Sequence, residues 1–192
     1  MIPILYIRMP KTGSSSFIES ILMSDITCVI IKEQNYTEYH TSQILIIASE
    51  FYKKHIDHFE KIYKNHIKIA MVRNPYSKFL SAKNYCSTTK KKTNTDVLKS
   101  LPTKKQNIHD WGHLTRTQTD GLIYNGKKQY DILFYYEQYN DIIKFISNHF
   151  NVPIIENRKN ITDKYDTNLT IHEKGIINNI YELDFKNFYN KI

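Results

Sequence analysis

Cysteine, glycine and proline are all scarce in this chain, and each scarcity removes a class of architecture. Two cysteines, Cys28 and Cys86, are too few for a disulfide framework, and neither belongs to a Cys-x-x-Cys pair or a Cys/His cluster with metal-ligand spacing. Reduced thiols are therefore expected, and no metal site is expected. Five glycines and five prolines in 192 residues exclude collagen-like and low-complexity character. No run approaches the roughly 20 apolar residues that a bilayer-spanning helix needs. The N-terminus leads straight into an apolar strand, without the charged region, apolar segment and cleavage site of a leader. The expectation is a cytoplasmic protein without a membrane span. Gly-x-x-x-x-Gly-Lys-Ser/Thr is absent as well, so hydrolysis of a nucleoside triphosphate is not the first inference.

What the chain does have is core material and positive charge. With 41% hydrophobic residues, 15 Tyr and 9 Phe, it can bury one sizeable core, and its length fits a single domain over 1–192. The net charge of +8 is uneven: residues 51–130 hold 17 Lys/Arg against 5 Asp/Glu, whereas the remainder holds 10 against 14. Such asymmetry favours an anionic partner: a multiply charged nucleotide, an acidic glycan or a nucleic acid.

The stretch Tyr6-Ile-Arg-Met-Pro-Lys-Thr-Gly-Ser-Ser-Ser-Phe17 joins an apolar strand, Ile4–Ile7, to a helix whose Phe17, Ile18, Ile21 and Leu22 recur at helical spacing. Gly13 permits a backbone conformation that a side chain hinders, so successive amides can turn inward at the positive end of the following helix. Lys11 adds a full charge, and Thr12, Ser14, Ser15 and Ser16 add hydroxyls. An anion is the expected guest. The competing reading is an ordinary helix N-cap, because Ser, Thr and Gly are preferred there for purely local reasons.

A second stretch, Ile67-Lys-Ile-Ala-Met-Val-Arg-Asn-Pro-Tyr-Ser-Lys-Phe-Leu-Ser-Ala82, is again a strand running into a helix, with Asn74 placed as N-cap and Pro75 at the first helical position. Taken together and in this order, the two stretches resemble the sulfotransferases, in particular the branch of carbohydrate and other membrane-associated enzymes. The resemblance implies that the first loop holds the 5′-phosphosulfate of 3′-phosphoadenosine 5′-phosphosulfate (PAPS), through Lys11, Thr12, Gly13, Ser14, Ser15 and Ser16. It implies that Arg73 and Ser81 hold the 3′-phosphate. Lys11 would then act on the leaving phosphate. His40, between the two motifs, is the implied general base, since an unperturbed imidazole titrates at about 6.5 and suits proton removal near neutral pH. The segment Trp111–Gln118 resembles the family's stretch near the acceptor cleft, so that His113 and Gln118 are candidates for orienting donor or acceptor, and His113 is the rival base. Two departures stand out. Tyr135 and Tyr136 replace a basic and aromatic pair of relatives, and Lys78 stands where they often have Arg.

Along the rest of the chain, Thr27–Lys32 and Tyr130–Glu137 read as further strands, and Gln43–Lys64 as one or two helices. Helices are also read from Tyr139 to Phe150 and from Ile171 to Leu183, and a mobile polar loop over about 87–107. Strands alternating with helices predict an α/β protein: a three-layer, P-loop-like fold with a central parallel sheet and ligands at the strands' C-terminal ends. The expected function is transfer of a sulfuryl group from PAPS to a hydroxyl acceptor, with a carbohydrate as the first choice. A small-molecule kinase with a divergent phosphate loop and a basic nucleic-acid-binding module are the alternatives. An obvious acidic metal site is missing for the former, and a recognisable binding signature for the latter.

Overall fold

The computed structural model describes residues 1–31, 42–86, 88–101, 109–157 and 168–189. In chain order the strands are β1 (Ile4–Arg8), β2 (Cys28–Ile31), β3 (Ile44–Ala48), β4 (Ile67–Val72), β5 (Ile123–Tyr124), β6 (Lys127–Lys128) and β7 (Ile132–Tyr135). The α-helices are α1 (Ser14–Leu22), α2 (Ser49–Lys54), α3 (Ile56–Ile62), α4 (Pro75–Tyr85), α5 (Asn94–Ser100), α6 (His109–Thr115), α7 (Gln118–Leu122), α8 (Tyr139–Phe150), α9 (Ile171–Ile180) and α10 (Glu182–Asp184). The chain divides into two compact units, each assembled from separated segments: Met1–Val72 with Gly121–Asn160, and Arg73–Asp120 with Ile161–Ile192.

The first unit is built on a five-stranded, wholly parallel sheet in the order β2-β3-β1-β4-β7. Strands buried on both faces have no polar side to alternate with, which is why Ile4-Leu-Tyr-Ile and Ile44-Leu-Ile-Ile are continuous apolar runs with no exposed surface. On one face Ile4, Tyr6, Ile44, Ile46, Ile69 and Met71 pack against Phe17, Ile18 and Ile21 of α1 and Ile142, Ile146 and Phe150 of α8. On the other, α2 lies against β1 and β3, and α2 and α3 contribute buried Tyr52 and Phe59. The architecture is thus an α/β three-layer fold with a central parallel sheet. β1 lies between β3 and β4, where the order of connection reverses, so the loop leaving its C-terminal end occupies the switch point at which such sheets bind ligands.

The second unit has a smaller core of Phe79, Leu80 and Ala82 from α4, Val97 and Leu98 from α5, Leu114 from α6, and Ile177 and Tyr181 around α9. Three of its helices begin on side-chain caps: Asn74 accepts from the Tyr76 amide, Thr93 accepts from the Asp96 amide, and Thr170 with Glu173 forms a reciprocal capping box.

Two expectations are corrected. Residues 44–48 are a strand, not part of a helix, because a run with every side chain apolar meets the requirement of a doubly covered strand. The polar region expected as a loop contains α5: Thr93 caps it, and Val97 and Leu98 are buried on its inner side. Residues 87 and 102–107 of that region lie outside the described residues. Among the described residues, no helix is long and apolar enough to cross a membrane.

Candidate functional site

In the first unit, the turn between β1 and α1 owes its shape to two residues with positive φ. Gly13 has φ 81 and Lys11, which carries a side chain, has φ 63. The second value is uncommon for a lysine and is tolerated only where the surroundings over-determine the backbone. Gly13 is needed twice over, because a Cβ there would lie 2.4 Å from Cδ2 of Tyr136. Between them Thr12 is fully buried, its Oγ1 donating to the Met9 carbonyl at 3.0 Å, and Ser14 Oγ donates to the same carbonyl at 3.2 Å. These two hydroxyls hold the turn together, while Ser15 is exposed and Ser16 buried.

Helix α1 therefore begins on a left-handed glycine with no side-chain hydrogen bond to its first amides and no acidic residue in its first turn. That separates it from α4, α5 and α9, whose caps satisfy one or more of the first amides. A Ser/Thr-rich start that merely capped its own helix would look like those three. α1 also differs from the uncapped helices α2, α3 and α8 in having no acidic residue in its first turn, so the positive end of its dipole lies at the turn without a carboxylate of its own.

In the second unit, Arg73 and Ser81 line one cavity of about 410 Å³ with Ser77, Asn84 and, across it, Asn168 and Lys174. Ser77, Ser81 and Asn84 are spaced by four and three residues along α4 and so share a face of that helix. The Arg73 Nε donates to Ser77 Oγ at 3.0 Å. Asn84 is 7% exposed, and among the described residues neither its Oδ1 nor its Nδ2 has a hydrogen-bond partner.

Behind the cavity lies a buried polar network. The Arg73 amide donates to Gln118 Oε1 at 2.7 Å and Gln118 Nε2 donates to the Arg73 carbonyl at 2.9 Å. Asp184 accepts from the amides of Gln118 at 2.9 Å and Thr119 at 2.7 Å. Lys78, fully buried, donates to the Arg116 carbonyl at 2.7 Å with its ammonium 4.8 Å from the centre of the Tyr181 ring. Burial lowers its pKa to about 8, against a smaller opposing pull from Asp184. The Tyr181 hydroxyl in turn donates to the Leu114 carbonyl, and burial raises its pKa well above the usual phenol value.

The residues read from sequence thus fall into two sets. Lys11, Thr12, Gly13, Ser14, Ser15 and Ser16 form the turn of the first unit. Arg73 and Ser81 share the cavity of the second. Gln118 has no exposed surface and is a support beneath Arg73, so direct contact with an acceptor gives way to a role through its neighbour. Lys78 likewise lies in the core of its unit. His113, on α6, sets its ring edge-on to Tyr85 with centroids 5.4 Å apart. His40 lies outside the described residues. Sequence reasoning missed Tyr136 as the wall against Gly13, Asp184 as the anchor of Gln118, and Asn84. Only Asn84 had a signal, its spacing from Ser77 and Ser81.

No family model and no curated protein matches the chain. A solved structure described as a sulfotransferase from Alicyclobacillus acidocaldarius shares the fold, with a TM-score of 0.59 and 14% identity over 99% of this chain and 95% of that one. The chain thus has the fold of a sulfotransferase, and its two candidate anion sites lie on the two motifs that resemble that family.

Proposed function

We propose that the protein transfers a sulfuryl group from PAPS to a hydroxyl acceptor, with a sugar hydroxyl as the first choice. The observation that carries this reading is the start of α1: an uncapped helix N-terminus shaped by left-handed Lys11 and Gly13, at the switch point of a parallel sheet. The cavity holding Arg73 and Ser81 supports it, because a guanidinium beside hydroxyls suits a terminal phosphate.

When bound, PAPS supplies the sulfuryl group. The amides that open α1 would hold its 5′ end, and Arg73 and Ser81 its 3′-phosphate. Transfer would form a bond from the acceptor oxygen to sulfur and break the bond from sulfur to the bridging oxygen, with adenosine 3′,5′-bisphosphate as the leaving product. Lys11 would balance the charge growing on that bridging oxygen. His40 would take the hydroxyl proton, with His113 as the rival base.

The test is incubation with PAPS carrying a labelled sulfuryl group and a panel of glycan, lipid, peptide and small alcohols. Label should appear on a hydroxyl compound together with adenosine 3′,5′-bisphosphate. Calorimetry with the bisphosphate and with ATP accompanies it, and equal affinity for the two would count against the assignment.

A further inference from the structure

A second cavity, of about 400 Å³, lies in the first unit between α3, the start of β4 and the β5–β6 hairpin. Lys68 stands level with Leu5 in the register of the parallel sheet, and Asp131 immediately precedes β7, so the cavity lies toward the sheet's N-terminal edge. The β1–α1 turn leaves the opposite edge. The proposed transfer makes no use of this region, yet the cavity's volume is in the range of sites for organic ligands, about 300–1,000 Å³.

Its polar groups are fixed from beneath. Tyr52, fully buried, donates its hydroxyl to Glu60 Oε1, and Lys68 Nζ donates to Glu60 Oε2 at 2.6 Å. Asp131 Oδ2 accepts from the Lys68 amide at 2.8 Å. A buried phenol needs a partner of this kind, which accounts for the place of Glu60, but the network leaves capacity over. Of its three N–H donors the Lys68 ammonium uses one on Glu60 among the described residues. The Glu60 side chain is 42% exposed and Asp131 is exposed, so both carboxylates can meet a ligand.

The lining sets the chemistry of that ligand. Asp57, Glu60 and Asp131 are balanced by Lys68, Lys127 and Lys128, so the formal charges cancel. A polyanion here would face the carboxylates, and a cation the ammonium groups. Among the described residues, no group of three or more His, Cys, Asp or Glu could hold a metal ion. Strong donors and strong acceptors side by side suit a neutral ligand rich in hydroxyls, because each hydroxyl gives one hydrogen bond and accepts others. Tyr124, exposed on the hairpin, and Tyr130 add aromatic surface, whose negative ring faces suit the polarised C–H groups of a pyranose.

We infer that this cavity is a second, non-catalytic site that binds a neutral sugar unit of a glycan. The inference goes beyond the transfer reaction and does not depend on the donor or acceptor assigned to it.

The experiment titrates the whole chain calorimetrically with neutral disaccharides (lactose, maltose, cellobiose and N-acetyllactosamine) and, separately, with inorganic phosphate. At least one disaccharide should bind wild type saturably, with a millimolar or lower Kd. Tyr124→Ala should weaken that binding about fivefold to tenfold, as truncation of an aromatic contact does. Asp131→Asn keeps an acceptor for the Lys68 amide while removing the charge, and should weaken it about threefold or more. This isosteric variant also keeps the comparison open should Tyr124→Ala fail to fold. Lys11→Gly, at the opposite edge, should bind the sugar as wild type does. Binding of none of the disaccharides overturns the inference, and so does phosphate that competes with the sugar, which would make this an anion site. Sugar affinity lost in Lys11→Gly but kept in Tyr124→Ala and Asp131→Asn would move the sugar to the phosphate turn and overturn it too. No donor enters these titrations, so a failure of sulfuryl transfer and a failure of this site are read separately.

Discussion

Gln118 grips the Arg73 peptide from both sides, its Oε1 accepting from the Arg73 amide at 2.7 Å and its Nε2 donating to the Arg73 carbonyl at 2.9 Å. The two residues are 45 positions apart in sequence, and Asp184, a further 66 along, fixes Gln118 by accepting from its amide. A carboxamide is suited to this task because it matches a peptide's donor and acceptor at once. The backbone of Arg73 is therefore held by a buried network and not by the loop alone.

Gln118→Ala should leave the Arg73 amide and carbonyl without their partner, and each buried group so orphaned costs about 1–3 kcal/mol. Gln118→Glu is the sharper variant. It keeps the acceptor for the Arg73 amide but turns a second acceptor toward the Arg73 carbonyl, with Asp184 Oδ2 only 3.4 Å from the replaced nitrogen. Both variants should lose stability in urea and bind adenosine 3′,5′-bisphosphate more weakly. Wild-type stability and affinity in the Gln118→Glu variant would show that the Nε2 donor has no such role.

Arg73→Ala and Arg73→Lys test the cavity itself. Lysine keeps the charge and loses the planar fork, including the Nε that donates to Ser77 Oγ at 3.0 Å. At about 100 times its dissociation constant, adenosine 3′,5′-bisphosphate should stabilise wild type by about 2.7 kcal/mol. The alanine variant should lose most of that shift and the lysine variant an intermediate share. Full stabilisation of Arg73→Ala would remove the 3′-phosphate from this position.

Much of the sheet was legible in the sequence, and so was the β1–α1 turn. Ile4–Ile7 is a short apolar run, Phe17, Ile18, Ile21 and Leu22 recur at helical spacing, and Gly13 marks the junction. Ile44–Ala48 was not, because Ile44 and Ile47 lie three residues apart and imitate a helical period in a strand that is apolar throughout. The β5–β6 hairpin carries an overt signal in Asn125-Gly126, both residues at positive φ, as a tight two-residue turn requires. The grip of Gln118 on Arg73 left no trace, since a side chain bonded to a distant backbone imposes no local pattern. The contact of Tyr136 with Gly13 is hidden for the same reason: it is a product of tertiary packing.

Lys78 gives a pH signature. Its folded pKa of about 8 lies below the ordinary 10.5, so between these values the unfolded chain binds more protons than the native one. The stability this group contributes therefore rises from about pH 8 to about pH 10.5, and is lost again as pH falls back through that window to a floor below 8, where both states are protonated. Relative to Lys78→Met, which carries no such charge, wild type should gain up to about 3 kcal/mol across that window, at 1.36 kcal/mol per pKa unit. Urea midpoints of the two proteins at pH 7, 8.5 and 10 measure it. Parallel pH profiles would mean that Lys78 titrates normally.

Gly13→Ala meets two obstacles that can be separated. A φ of 81 is strained for any residue with a Cβ, by about 1–2 kcal/mol, and the new methyl would fall 2.4 Å from the Tyr136 ring. In a Tyr136→Ala background the collision disappears and only the backbone strain remains. The double-mutant cycle should thus show a favourable coupling, with Gly13→Ala less damaging when Tyr136 is gone. Strict additivity would show that Tyr136 yields freely, leaving φ as the sole reason for glycine.

Lys11 holds a left-handed backbone despite its side chain, with φ 63, where glycine would sit without strain. Strain of this kind gathers where function requires a particular side chain in an unfavourable place. Lys11→Gly should accordingly leave stability within about 1 kcal/mol of wild type, because relief of strain is offset by the greater freedom of glycine in the unfolded chain. Turnover should behave differently. Charge compensation at a developing oxyanion is typically worth about 10²–10³-fold, so kcat should fall on that scale, and by more than the affinity for adenosine 3′,5′-bisphosphate weakens. Lys11→Arg restores charge in a bulkier, delocalised form and should recover part of the loss. A Lys11→Gly enzyme that keeps full kcat and only raises the KM for PAPS would place the ammonium in ground-state binding, with no part in the departure of the leaving group.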